Sequence, residues 1–417
     1  MKIGIFTDTY KPQVNGVVTS ITVLERELRK KGHKVYIITT SDPEVHSPES
    51  NVLRLPSLVF RPAPQYRLGM IYSNRVINKI KKLNLDIIHS QTEWGVGTFS
   101  RFAAKRLNIP LVHTYHTLYE YYTHYVTKGH FKKQARKLAQ KISKFYCDMC
   151  DSLVVPTEKV EKIIKSYGVE RDIYIIPTGI DVERFYRKNY TDEERQQLRH
   201  EYGIKDDEFL CVYIGRVAKE KSIDYLIESF AKIDDEKMKL LIIGKGPDLE
   251  DFKLFAEQFD FGGRVIFSGE IPYEKIPIYY QIGDVFLNAS ISETQGLTFI
   301  EAMAAEVIVN ARFDENLEKL ITKREAGLLY KDTDEFLSNI KTIKANKELV
   351  KVLKNNALEI SKEFSAEAFG VSIENVYYDT IKEFKHGKNF TFFGGKKFIQ
   401  QIRRWKGFRA PKKGPWS

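Results

Sequence analysis

Two glutamates, Glu293 and Glu301, stand eight residues apart in the segment SETQGLTFIEAMA, one residue after the run VFLNAS. The run reads as a strand and the residues from Gly296 onward as a helix. Glu293 therefore lies at the carboxyl end of the strand, where open α/β sheets bind ligands, and Glu301 lies inside the helix. The amides of Gln295, Gly296 and Leu297 would open that helix, and unpaired N–H groups at the positive end of a helix dipole suit an anion such as a diphosphate. Glu301, one turn further in, could accept hydrogen bonds from ribose hydroxyls, and Glu293 could contact a sugar carried by the diphosphate. Taken singly, the two are a helix-face acid and a loop acid. A second feature adds weight: the strand VYIGR runs into GRVAKEK, which sets Arg216 and Lys221 at another strand end of the same half of the chain. Alone they would be surface charges, but two cations there could neutralise a leaving diphosphate.

The elements that must position these groups alternate along the whole chain. KIGIF, the helical stretch from Val17 to Lys31, KVYIIT, the stretch from Tyr72 to Leu83 and DIIHS form βαβ units, and PLVHTYHT, DSLVVPT and IYIIPTG continue the sheet. Periodicity lapses around Thr178 to Asp207, which marks the connection between domains. FLCVYIGRV, KLLIIGKG, RVIFSG and VFLNAS then begin a second series. The expected fold is α/β, with two Rossmann-like doubly wound domains facing a central cleft. Residues 1–190 form the first domain, 191–365 the second, 366–385 a helix crossing back to the first, and 386–417 a basic aromatic tail. A length of 417 residues, with 42% hydrophobic and 29% charged, fits two such cores.

Several chemistries are excluded. A dinucleotide site needs GxGxxG in the first strand-to-helix turn, but FTDTYKPQVNGVV holds a single glycine, and Gly244-Lys-Gly246 lacks a third. Cys147 and Cys150 form a lone CxxC that reads as core packing, with no second pair to complete a zinc site. His113, His116 and His124 lack a completing Cys or carboxylate set, and Asp332-Thr-Asp334 reads as a helix N-cap. No metal ligands are expected. The N-terminal MKIGIFTDTY is too weakly apolar for a signal peptide, so the expected location is cytosolic.

Charge is divided along the chain. Residues 51–150 hold 17 Lys/Arg against 4 Asp/Glu, residues 201–350 hold 19 against 29, and residues 380–417 hold 11 against one. Basic ends around an acidic middle point to an anionic surface, nucleic acid or membrane. No nucleic-acid module is recognisable, so a nucleic-acid partner is not expected.

At the level of motifs the chain resembles the retaining, GT-B fold glycosyltransferases of family four, whose signature is two glutamates separated by seven residues. The resemblance extends to about Lys385. It implies that Glu293 is the acid near the donor sugar, Glu301 the ribose ligand, and Arg216 with Lys221 the diphosphate clamp. It further implies that Gly16, in the VNGV loop, faces the donor phosphates from the first domain, and that His116, in TYHT, lines the donor sugar. Glu293, His116, Arg216 and Lys221 are thus the implied catalytic residues. The usual Gly-Phe-Gly after the first glutamate is here Thr294-Gln295-Gly296, and the usual small-residue turn before the next strand reads AAEVIVN. No tightly bound cofactor is implied, and Mg2+ would be non-essential.

MKIGIFTDTYKPQVNGVVTSI, LVHTYHTLYEYYTHY and SETQGLTFIEAMA resemble, more narrowly, bacterial diacylglycerol glucosyltransferases. That implies retaining transfer of glucose from UDP-glucose to the 3-hydroxyl of 1,2-diacylglycerol at the cytosolic membrane face. A family-four enzyme acting on a soluble or cell-wall acceptor is the alternative. The helix from Phe131 to Phe145 agrees with a membrane acceptor. Phe131, Ala135, Leu138, Ile142 and Phe145 share one face, with Lys132, Lys133, Arg136, Lys137 and Lys144 around it, the pattern of a peripheral helix on an anionic bilayer. Trp405 and Trp416, among the basic residues of the tail, are a second candidate contact.

Overall fold

The computed structural model describes residues 1–13, 15–47, 49–59, 67–69, 74–122, 132–290 and 293–386. His124, Phe131, Trp405, Trp416 and the tail beyond His386 lie outside the described residues, as does the side chain of Lys132.

The first sheet contains β1 (Lys2–Phe6), β2 (Lys34–Thr40), β3 (Val52–Leu55), β6 (Ile87–Ser90), β7 (Leu111–Thr114), β8 (Ser152–Val155) and β9 (Ile173–Ile175). A two-stranded ribbon of β4 (Ser57–Val59) and β5 (Arg67–Gly69) lies beside it. The strands are parallel in the order β3-β2-β1-β6-β7-β8-β9. β6, β7 and β8 are buried along their whole length, as expected of strands covered on both faces. The period-2 pleat sends Ile3, Ile5, Ile37 and Val112 into one core and Phe6, Ile38, Ile88 and Leu111 into the other.

The second sheet contains β10 (Phe209–Ile214), β11 (Met238–Ile243), β12 (Val265–Gly269), β13 (Val285–Asn288), β14 (Ile308–Arg312) and β15 (Gly327–Tyr330). It is parallel in the order β12-β11-β10-β13-β14-β15. Strand order reverses between β1 and β6 in the first domain and between β10 and β13 in the second. A crevice opens outside the carboxyl ends at each such reversal.

The chain crosses between domains twice. After β9 it leaves through Thr178–Asp181, and it returns through Phe364 and Ser365 into the helix Ala366–Lys385. The amide of Ile180 donates to Phe364 O at 2.9 Å, and Ile180 pairs with Ser365, so the two crossings run side by side. The returning helix packs on the helix Gly16–Lys30 and buries Phe369, Ile373, Val376 and Tyr377 in the first domain. Inside that core the Tyr377 hydroxyl lies 2.7 Å from His89 Nδ1.

The stretch Thr178–Asp207 carries more structure than its lapse in periodicity suggests. Val182 and Phe185 enter the core of the second domain, and a helix spans Asp192–Glu201. Its start is a capping box in which the side chains of Thr191 and Glu194 satisfy each other's amides. The helix exposes mostly charge and buries Arg195 and Leu198, which leaves little hydrophobic pattern to read.

Candidate active site

The two loops that flank the reversal in the second domain carry the charged groups. After β10, the turn at Lys219–Lys221 presents Lys221, and after β13 the loop presents Glu293. Lys221 Nζ lies 2.5 Å from Glu293 Oε1, with side-chain exposures of 19% and 16%. Burial pushes the Glu293 carboxyl up, but the Lys221 ammonium outweighs it and holds the group below the ordinary carboxylate range, with Lys159 adding to the effect. Arg216 is ion-paired with Glu220 four residues on, and its carbonyl accepts from the Tyr213 hydroxyl at 2.9 Å. Both cations at this strand end are therefore already oriented by carboxylates. A diphosphate arriving there would meet two cations already held in place.

The helix that follows runs Leu297–Ala304. Gly296 precedes it at φ 77°, and a Cβ at that position would lie 2.4 Å from a ring carbon of Phe299, so the sharp entry requires glycine. Glu301, on the buried side of this helix, accepts from the Tyr280 hydroxyl at 2.8 Å and is 6% exposed. Burial raises its carboxyl to about 7, against the lowering effect of the Tyr280 hydrogen bond and the Arg184 charge. Glu301 is thus poised between charged and neutral at physiological pH, whereas Glu293 stays ionised. The two glutamates of one motif occupy different electrostatic environments.

The first domain reaches this loop from three strand ends. Thr157, which caps the helix after β8, donates to Thr294 O at 2.9 Å. Lys159 pairs with Asp314 and lies 3.5 Å from Glu293 O. The Gln295 side chain bonds the backbone of Thr178. Gly16, the first residue of the helix Gly16–Lys30, faces Leu297, and a Cβ there would come within 3.9 Å of the leucine Cδ1. Asn15 caps this helix by accepting from the amides of Val17 and Val18. Gly16 and Leu297 therefore bring the openings of two helices together across the cleft.

His116 lies after β7, and its Nε2 donates to Gln91 Oε1 at 2.7 Å. Burial holds the imidazole down at about 4, so it is neutral at physiological pH. The structure brings Lys221, Glu293, Gln295, Gly296, Leu297 and Gly16 together. Glu301 sits apart in its Tyr280 pocket, and His116 sits with Gln91 in the first domain. Lys159 and Thr157 join the site, and Gln91 joins His116, without any motif to announce them. Their partners lie 134, 137 and 25 residues away, so only the contact itself identifies them. Asp332 caps the helix Thr333–Ala345, accepting from the Glu335 amide. Among the described residues no group of three or more His, Cys, Asp or Glu side chains could hold a metal ion.

The basic helix runs Lys132–Asp148. Lys133 and Lys137 are exposed, Leu138 is 45% exposed, and Ala135, Ile142 and Phe145 are half-buried. Arg136 is drawn back onto the protein, donating from Nε and Nη2 to Glu120 at 3.0 Å each. Cys147 and Cys150 are buried free thiols, and burial pushes both up, Cys150 to about 12. Among the described residues no helix is long and apolar enough to cross a membrane.

Two parallel-sheet Rossmann-like domains whose strand ends meet across one cleft define the GT-B class of glycosyltransferase. Residues 14–184 match the family model described as Glycosyltransferase Family 4, and residues 194–360 match Glycosyl transferases group 1. The chain is 35% identical over 389 residues to the alpha-monoglucosyldiacylglycerol synthase of Acholeplasma laidlawii, covering 91% of this chain and 98% of that protein. It is likewise 35% identical to the synthase of the same name from Streptococcus pneumoniae, covering 91% and 86%. Among solved structures, Anabaena HepE in complex with UDP-glucose superposes with a TM-score of 0.72 at 16% identity, covering 91% and 100% of the two chains. The chain belongs to glycosyltransferase family 4.

Proposed function

We propose that this enzyme transfers glucose, with retention of configuration, from UDP-glucose to the 3-hydroxyl of 1,2-diacylglycerol, forming a glycolipid at the cytosolic face of the membrane. The observation that carries the donor half is the loop pair at the β10/β13 reversal, which sets Lys221 and Arg216 on one strand end and Glu293 on its neighbour. The acceptor and the sugar rest on near end-to-end similarity to two relatives named alpha-monoglucosyldiacylglycerol synthase.

In this reaction the bond between the sugar's anomeric carbon and the diphosphate breaks, and the electron pair leaves with the phosphate oxygen. The acceptor hydroxyl attacks from the same face, and its proton passes to the departing phosphate. Charge grows on the diphosphate, so Lys221, Arg216 and the amides at the start of the helix Leu297–Ala304 supply the main stabilisation. Glu293, held ionised, fixes Lys221 and is placed to contact sugar hydroxyls, and Glu301 accepts from the ribose. Neutral His116 lines the sugar from the first domain. The cations make a metal unnecessary as counter-charge.

The basic helix Lys132–Asp148 lies on the first domain, and with its exposed Lys133, Lys137 and Leu138 it is suited to a peripheral hold on anionic lipid. The tail with Trp405 and Trp416 is the second contact. The test is incubation with UDP-glucose and vesicles containing diacylglycerol, followed by mass analysis and anomeric NMR of the lipid product. An α-glucosyl lipid is expected. A β-linked product or the absence of glycolipid refutes the assignment.

A further inference from the structure

The Gln295 side chain forms a closed pair of hydrogen bonds with the backbone of one residue, Thr178, in the interdomain crossing. Its Oε1 accepts from the Thr178 amide at 2.7 Å, and its Nε2 donates to the Thr178 carbonyl at 2.9 Å. Both residues are buried, at 8% and 6% exposure. The carboxamide thus satisfies a buried backbone donor and acceptor together, in the manner of a neighbouring strand. Two residues further on, Ile180 pairs with Ser365 of the returning crossing. Thr178 also lies 3.4 Å, Oγ1 to Oγ, from Ser20 on the helix whose first residue, Gly16, faces Leu297. The loop bearing Glu293, both crossings and the helix opening of the first domain therefore meet around one side chain.

We propose that Gln295 is a positioning residue that couples the donor loop to the hinge between the domains, so that the loop is ordered only in the domain setting that brings Thr178 to it. The phenylalanine usual in the family pattern has no atom able to make either bond, so the coupling requires the glutamine. A change in the angle at Thr178–Ile180 would pull on Gln295, which sits two residues from Glu293 and two from Leu297. Closure of the domains and assembly of the diphosphate site become one event. The inference rests on the proposed donor site for its kinetic consequence but not for its structural one.

The test uses the full chain with Gln295→Leu and Gln295→Glu. In the leucine variant, amide exchange in peptides covering 176–180 and 293–298 should accelerate at least about tenfold, with the β13 core unchanged and the melting temperature lowered by only a few degrees. KM for UDP-glucose should rise about tenfold or more, and more than kcat falls. The glutamate variant at pH 8 can accept from the Thr178 amide but cannot donate to its carbonyl. Once it takes up a proton it can do both, so its KM ratio to the parent at the same pH should fall as the pH is lowered. Unchanged exchange in both segments overturns the proposal, as does a loss of activity that only tracks a lowered melting temperature with KM unaltered. If UDP-glucose is not the donor, parent and variants alike show no kinetic response to it, while the exchange measurement still decides the coupling.

Discussion

Glu301 provides a sharp test of the donor site because its charge state lies at the edge of the physiological range. Its carboxyl titrates at about 7 because it is buried under the helix Leu297–Ala304 with a single hydroxyl partner, Tyr280. Accepting two ribose hydroxyls requires the ionised form. With a midpoint of about 7, about ten-elevenths of the sites are competent at pH 8 and about one-eleventh at pH 6, so the apparent Kd for UDP should rise about tenfold between them. Calorimetric titration of UDP at pH 6, 7 and 8 measures this directly. The terminal phosphate of UDP also takes up a proton near pH 6, but it does so equally for Glu301→Gln, so the difference in slope between parent and variant isolates the carboxyl. The same shift predicts the sign of a stability effect. A carboxyl whose folded value is raised above the ordinary 4.5 contributes stability that is present at low pH and is lost as pH rises through about 7. The permanently neutral Glu301→Gln should therefore be more stable than the unliganded parent at pH 8, by roughly 3 kcal/mol at most, while binding UDP more weakly. Parallel pH slopes for parent and variant, or a variant less stable than the parent at pH 8, would refute the placement of Glu301 as a buried ribose acceptor.

Glu293→Gln and Lys221→Ala should each abolish glucosyl transfer while circular dichroism stays that of the parent, because the pair lies in loops at a strand edge. Near-normal turnover in either removes that residue from the site. With Arg216 and Lys221 as the proposed counter-charge, turnover should survive EDTA. Complete loss restored only by a divalent ion, in vesicles free of anionic lipid, counts against them. Replacing Lys132, Lys133, Arg136 and Lys137 by Ser should weaken flotation with anionic liposomes, at about 1 kcal/mol for each charge that faces the lipid, and leave UDP affinity unchanged. Because Arg136 is engaged by Glu120, Arg136→Ser should cost less than either Lys133→Ser or Lys137→Ser alone. Liposome binding as tight as the parent's in the fourfold variant would move the membrane contact to the tail that bears Trp405 and Trp416.

Local pattern determined a large part of this protein. Alternating apolar runs and helical periods specify two parallel sheets, because side chains repeat every two residues in a strand and every 3.6 in a helix whatever surrounds them. The rule that ligands gather at strand carboxyl ends is equally local, so Glu293, Arg216 and Lys221 could be singled out from a strand followed by a loop. The helix Asp192–Glu201 shows the limit of that approach. Its capping box is written in the sequence, but its exposed, charged surface carries almost no apolar period.

Tertiary structure alone decided what each charged group experiences. Lys221 meets Glu293 from 72 residues away, Gln295 meets Thr178 from 117, and Lys159 comes from the other domain. No spacing rule encodes such pairs, because they arise where separate strands, of one sheet or of two, end together. Two glutamates eight residues apart look equivalent in the chain, yet an adjacent ammonium keeps Glu293 ionised while burial without such a partner lifts Glu301 to about 7. Desolvation and charge pairing depend on what fills the few ångströms around a group, and that is set only once distant segments have folded against each other.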